Sequence, residues 1–285
     1  MISLTRVLLA VVTVWAVAGC SGDNVDSASK ESAAADSSAA ASPSASSARP
    51  SAAPEPARPK VGSCYRLAYR QALAPTNTSA PRPCEKPHTA VTYAVGDLDT
   101  VVDGHLLAVD ATRVRDQVAA ACPGRLLRFL GGSEEQLRLT SLHAVWFSPT
   151  LKQADRGQNW FRCDLIALGG DRRLAPLPDR LKGVLTTEAG RRAVGVCGTT
   201  EPGTPTFTRV ICSAPHTWRA ISSYDVRGDA FPGTAKLQAE AQSRCKPAVK
   251  AQADDPLDFQ WGYDWPTREQ WRAGQHYGLC WAPEG

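Results

Sequence analysis

Two stretches of the chain carry apolar positions at helical spacing. Val114, Val118 and Cys122 fall at i, i+4 and i+8, and so do Leu237, Ala241 and Cys245. Positions four apart share one face, so each set predicts an amphipathic helix whose buried stripe includes a cysteine. Pro123 and Pro247 follow, and each is expected to disrupt or redirect its helix, because proline lacks the N–H and crowds the preceding turn. Two later runs, "NWFRCDLIAL" and "HYGLCWA", are rich in strand formers and hold a cysteine mid-run; they read as core strands. Between them Leu174, Leu177, Leu181 and Leu185 recur in a stretch from about Gly169 to Arg192, which predicts a connector packed on a surface.

The pattern is written twice. "PTLKQADRGQNWFRC" (149–163) aligns without a gap to "PTREQWRAGQHYGLC" (266–280), with Pro, Thr, Gln, Gly, Gln and Cys in the same columns. "VGSC" (61–64) matches "VGVC" (194–197), and "CEKPHTA" (84–90) matches "CSAPHTW" (212–218). A repeat of this size predicts two sibling domains. In the shared closing motif Ser148 is placed to cap a helix of about two turns with Pro149 at its first position. Gly157 and Gly274 are placed to stop it in the left-handed region. Gln153, Gln270, Gln158 and Gln275 have no assigned role beyond local backbone hydrogen bonding. Each module then reads strand with cysteine, loop, strand after Cys-x-x-Pro-His, helix with cysteine, strand, short helix, strand with cysteine. The fold class is α+β: two tandem disulfide-stabilised modules, each a small antiparallel sheet with one main helix and one short helix. They occupy residues 61–168 and 193–285, with the connector at 169–192.

The first sixty residues change the picture of where the chain resides. Arg6 precedes the apolar run Val7–Ala18, which ends in "VAGC" at Cys20. The run is short of the roughly 20 apolar residues that a span needs, and residues 1–19 read as a cleaved leader. Small residues before a cysteine resemble a bacterial lipobox. That resemblance implies lipidation of Cys20 and a location at the extracytoplasmic face of the cell membrane; the plainer alternative is a secretory peptide with an incidental cysteine. From Ser21 to about Lys60 the chain is Ala, Ser and Pro with a few charges, a composition that cannot bury enough apolar surface to offset its ordering entropy. Residues 20–60 read as a lipidated cysteine and flexible tether, roughly 35 Å long on average.

Nine cysteines less Cys20 leave Cys64, Cys84, Cys122, Cys163, Cys197, Cys212, Cys245 and Cys280. An even set in an exported chain reads as disulfides, and the absence of any C-x-x-C removes support for redox or zinc-ribbon chemistry. Four cysteines per module allow three pairings. The favoured one is first with second and third with fourth, because the first pair brackets a hairpin and the second joins helix to final strand: Cys64–Cys84, Cys122–Cys163, Cys197–Cys212 and Cys245–Cys280. The net charge of +4 does not announce a nucleic-acid binder. Abundant Ala and Arg beside scarce Lys and Met point to a GC-rich bacterial genome.

"VGxC", "CxxPHT" and "PTxxQxxxGQ…C" together resemble the septum-formation domain family of actinobacterial envelope proteins, here in tandem over most of residues 60–285. The first module departs from the pattern with Ala154 where the second has Trp271. The resemblance implies a membrane-associated extracytoplasmic module linked to cell division, with no established catalytic residue to carry over.

His88 and His216 occupy equivalent positions and are the candidate ligand contacts. The plainer and favoured reading is a ring that bridges backbone groups beside a disulfide. Neither has the neighbouring ligands that a metal needs, so no metal and no cofactor is expected. His105, His143 and His276 have no counterparts. No Gly-x-Ser-x-Gly, phosphate loop or Ser-x-x-Lys with Lys-Thr-Gly occurs in a folded stretch, so no catalytic residue is assigned. The aromatic group Trp261, Tyr263, Trp265, Trp271, Tyr277 and Trp281 suits glycan or protein contact if exposed, and a small core, the favoured reading, if buried. The expectation is a non-catalytic lipoprotein that contacts an unknown envelope protein or cell-wall polymer. The alternatives are a wall- or peptide-processing enzyme that uses His88 or His216, and a structural spacer.

Overall fold

The computed structural model describes residues 58–284. The leader, Cys20 and nearly all of the tether lie outside the described residues. The first half runs β1 (Cys64–Tyr65), α1 (Tyr69–Ala72), β2 (Ala90–Asp97), β3 (Val101–Val102), β4 (His105–Leu106), α2 (Thr112–Leu130), α3 (Glu134–Arg138), β5 (Leu142–Phe147), α4 (Leu151–Ala154) and β6 (Trp160–Ala167). The second runs α5 (Glu188–Val194), β7 (Val196–Gly198), β8 (Arg209–Ile211), β9 (Trp218–Asp225), α6 (Thr234–Lys250), β10 (Gly262–Asp264), α7 (Arg268–Arg272) and β11 (Tyr277–Pro283). The architecture is α+β, as the sequence predicts. No described helix is long and apolar enough to cross a membrane.

One antiparallel sheet has the order β1-β2-β6-β5 and the other β10-β11-β9-β7-β8. Read from the Cys163 and Cys280 strands outward, the orders correspond: β6 with β11, β2 with β9, β1 with β7, and β5 with β10. A single bridge of Arg82 to Cys64 stands where the second sheet has β8. The disulfides are Cys64–Cys84, Cys122–Cys163, Cys197–Cys212 and Cys245–Cys280. In each half the first ties the short strand to the loop before Pro-His. The second pins the main helix to the strand it packs on, with Cys122, Cys163 and Cys245 fully buried.

The prolines do not end the helices: Pro123 lies inside α2 and Pro247 inside α6. The apolar stripe explains why. In α2 it continues past the proline as Leu126 and Leu130, both buried with Val114, Val118 and Cys122. An interior proline costs about 3 kcal/mol, while each buried leucine returns about 1.5–3 kcal/mol. In α6 only Val249 is buried beyond Pro247, and that helix stops at Lys250.

The short helix also differs from expectation. It is one turn, not two, and Thr150 rather than Ser148 caps it, so Pro149 lies ahead of the cap. Gln153 N–H donates to Thr150 Oγ1 (3.3 Å) while Thr150 N–H donates to Gln153 Oε1 (2.9 Å). Thr267 and Gln270 repeat the exchange at 3.1 and 2.8 Å. These are capping boxes, and they account for the first pair of repeated glutamines. Gln158 N–H and Gln275 N–H then close the turn on the Gln153 and Gln270 carbonyls (3.2 and 3.0 Å). Gly157 and Gly274 hold positive φ of 83° and 92°, which only glycine adopts freely.

The connector packs as its leucines predict. Leu177, Leu181 and Leu185 are buried in the first half's core, together with Val194 and Ile211 of the second half. Leu177 N–H donates to His88 O (2.9 Å) and Gly183 N–H to Phe129 O (2.9 Å). At the junction Thr140 bridges Gly195, with Ser141 N–H to Val194 O (3.0 Å) and Val196 N–H to Leu139 O (2.9 Å). The described residues therefore form part of one compact unit, Ala53–Gly285.

Leu126→Ala should lower the unfolding free energy by about 2–5 kcal/mol, while Pro123→Ala should not lower it. Urea unfolding followed by circular dichroism checks both; a neutral Leu126→Ala would contradict the packing of the last turns of α2.

Candidate functional site

The repeated Pro-His corners are first a folding device. Thr89 Oγ1 accepts from Leu67 N–H (2.8 Å) and donates to Leu67 O (2.9 Å). Thr217 Oγ1 donates to Thr199 O (3.0 Å), and its N–H donates to Gly198 O (3.0 Å). Each threonine thus closes the disulfide loop onto the strand that carries the first cysteine. The histidine Nδ1–H in each copy donates to the carbonyl two residues back, Lys86 O at 3.1 Å and Ala214 O at 2.7 Å. The sequence favours a ring that bridges backbone groups; in each copy one ring nitrogen makes such a bond, and the second nitrogen of His216 meets a side chain instead.

Beyond that bond the two histidines diverge. His88 is only 2% exposed, because the connector crosses its backbone at Leu177. In the second half β11 instead leads into Glu284, which lies alongside His216. Its Nε2 lies 3.3 Å from Glu284 Oε2, which also accepts from Arg219 Nε–H. Both ring nitrogens face acceptor oxygens. Burial would raise the Glu284 carboxyl, but Arg219 and His216 outweigh it and hold the group below the ordinary carboxylate range. Cys197, His216 and Glu284 come together among the described residues, yet the Cys197 sulfur is bonded to Cys212 and offers no thiolate to a metal.

Two open clefts lie where the halves meet, on either side of α3; others lie within the first half (about 410 Å³) and within the second (about 350 Å³). One cleft, about 340 Å³, is lined by Gln136 and Leu139 on the first half and by Arg191, Arg192, Arg219 and Glu284 on the second. Arg191 Nη1 donates to Leu185 O (2.8 Å) and Arg192 faces Glu188 at 3.6 Å. The other cleft, about 530 Å³, is mostly apolar: Leu126, Leu137, Leu142 and Trp146 face Tyr277 across it. Arg138 stands at its rim, 4.7 Å above the Tyr277 ring and 2.7 Å from Asp225. A largely apolar concavity with a few polar groups at a junction between units is the usual form of a binding site. His216 therefore stands behind the wall of one open cleft, whereas His88 lies sealed.

Sequence reasoning missed these clefts. Arg138 and Asp225 are 87 residues apart, and no local spacing signals such a meeting. The aromatic group divides. Trp271 and Trp281 are core residues, 5% and 0% exposed. Trp261, Tyr263 and Trp265 stack in sequence (5.5 and 5.8 Å) as a half-buried ladder against the second core. His143 lines the larger cleft, and His276 stacks on Trp271 at 4.1 Å.

The first half also buries an ion pair. Arg162, 2% exposed, lies between the rings of Tyr65 (3.9 Å) and Phe147 (4.7 Å). Its Nη2 donates to Asn77 Oδ1 (3.0 Å), and its Nε is 3.3 Å from Asp164 Oδ2. Burial pushes the Asp164 carboxyl up to about 6, against the opposing pull of Arg162 and of the Thr92 hydroxyl.

Geometry defines a disulfide-braced α+β protein whose two sheets meet at a pair of clefts. A model of the septum formation family matches residues 110–280, more than half of the chain, and the chain belongs to that family. The match is one span that crosses the connector. The family is described by septum formation, a step of cell division. No curated protein and no solved structure matches it.

His88→Ala should cost about 2–4 kcal/mol through a sealed cavity and a lost hydrogen bond. His216→Ala should cost roughly 1 kcal/mol, since its partners reach solvent; thermal unfolding of the two variants compares them. Asp164 titrates higher in the folded chain, near 6, than in the unfolded chain, near 3.9. Its contribution to stability is therefore full below about pH 4 and lost as pH rises through about 6. Carbon-13 NMR of the Asp164 carboxyl, with urea unfolding across that window, should show the midpoint and a contribution of this sign.

Proposed function

We propose that this chain is a non-catalytic, lipid-anchored protein at the outer face of the cell membrane, which binds an envelope protein or cell-wall polymer during septum formation. The observation that carries the reading is the pair of clefts built jointly by both halves, about 340 and 530 Å³. Family membership supplies the link to the septum. The "VAGC" lipobox at Cys20 and the Ala/Ser/Pro tether supply the anchor and reach, and four disulfides fit an oxidising compartment. The matching motif columns and strand orders support reading residues 61–168 and 193–285 as duplicated halves. Their shared junction makes the duplication useful, because one copy alone would have neither cleft.

Burial of His88 takes it out of reach of a substrate, so a processing enzyme would have to use His216. A spacer would not need clefts walled from both sides.

Cys20→Ala should move the protein from the membrane fraction to the soluble exported fraction, read by fractionation and blotting. A photo-crosslinking residue at Trp146 or Ile221 should trap a defined envelope component in dividing cells, while one at the exposed Arg70 should not. Failure to trap any component from either cleft would count against the reading.

A further inference from the structure

The larger cleft runs beside a sheet edge that the described residues only partly cover. β5 is the last strand of its sheet, paired on one side with β6 from Leu142↔Ala167 to Phe147↔Arg162. Leu168 N–H donates to Ser141 O (2.9 Å), which fixes the alternation of the ladder. Odd-numbered residues of β5 bond to β6, and Leu142, Ala144 and Trp146 direct their N–H and C=O groups outward. Ser148, of the same parity, confirms the direction, since its N–H donates outward to Pro75 O (3.1 Å).

At its C-terminal end that outward edge is already occupied by the chain's own backbone, where Ser148 pairs parallel with Thr76. Ahead of β5, Thr140 pairs antiparallel with Gly195 through the odd-numbered Leu139 O and Ser141 N–H. Leu142 N–H is satisfied locally by Thr140 Oγ1 (3.2 Å). The open stretch is Leu142–Phe147, roughly 20 Å of strand at about 3.3 Å per residue. It faces the cleft of about 530 Å³ lined by Leu126, Leu137, Leu142, Ala144, Trp146 and Tyr277. An uncovered edge beside apolar side chains is a standing template for another strand.

We infer that β5 receives an extended segment of a partner protein, about five or six residues long, as an added strand. The inference rests on the binding reading above and names the partner's chemistry. Main-chain bonds to Ala144 and Trp146 would supply affinity, as the bond from Ser148 N–H to Pro75 O already does for the chain's own segment. Alternate apolar side chains of the segment enter the cleft and supply selectivity. A glycan offers no N–H and C=O ladder at strand spacing, so this edge selects peptide.

The test uses the full chain in detergent micelles and a phage-displayed library of random eight-residue peptides. Enriched peptides should carry apolar residues at alternate positions and slow amide exchange at Ala144 and Trp146 at least tenfold. Ala144→Pro, which removes an outward N–H at an edge position where proline is tolerated, should weaken binding at least tenfold; Ala144→Ser should leave it within twofold. Because Ala144→Pro could also disturb folding, N-methylation of alternate peptide backbone amides gives a second readout on the unaltered protein and should abolish binding from one register only. The inference is overturned by absence of enrichment, by protection mapping away from β5, by insensitivity to N-methylation, or by soluble glycan fragments producing the same protection. If crosslinks from Trp146 persist in cells while these peptide results fail, strand addition falls and the binding reading stands.

Discussion

Everything in the described fold depends on a sulfur bridge buried between a helix and the strand beneath it. Cys122–Cys163 and Cys245–Cys280 close loops of 41 and 35 residues, long enough for the loss of unfolded-state freedom to contribute about 3–4 kcal/mol each. Each bridge sits within a helical stripe that is buried along its length. That fixed contact holds each main helix against the strand beneath it. The Cys64–Cys84 and Cys197–Cys212 bridges, with loops of 20 and 15 residues, act more locally by holding the Pro-His corners against β1 and β7.

The halves share a plan but not a chemistry. Where the first has Arg162 and Asp164 on either side of its strand cysteine, the second has Leu279 and Trp281. The first therefore buries a charged pair on its strand, with Arg162 against the Tyr65 and Phe147 rings. The second packs Trp281 against Phe207 edge to face at 5.2 Å and bonds its Nε1–H to Asp264 Oδ2 at 2.9 Å. The connector produces the other asymmetry. It can cover only the half that precedes it, so His88 is enclosed and His216 meets Glu284 and Arg219 at an open cleft. Unequal covering thus leaves the histidine of the same six-residue phrase sealed in the first half and half-buried in the second.

The capping boxes show how a motif can be legible and still be misread. Thr-x-x-Gln stands in both copies, and its spacing is the signature of reciprocal side-chain and backbone bonds. Reading Ser148-Pro149 as the start shifted the helix by two residues and left Gln153 and Gln270 without a task. The prolines in α2 and α6 misled for a different reason. Local propensity opposes an interior proline, but the leucines that outweigh it gain their energy only when the sheet lies beneath them.

Sequence by itself determined the α+β class, the repeat, the cysteine-bearing helix faces, the Gly157 and Gly274 stops and the packing of the connector. All of these are written in spacings of a few residues or in columns that repeat. Only the tertiary structure decided how the halves meet: Thr140 against Gly195, Arg138 over Tyr277, and the uncovered edge of β5 beside its cleft. Those contacts join residues far apart in the chain, and their free energy comes from surfaces that exist only after each sheet has formed. Periodicity encodes which face of an element is buried; it does not encode which distant surface will bury it.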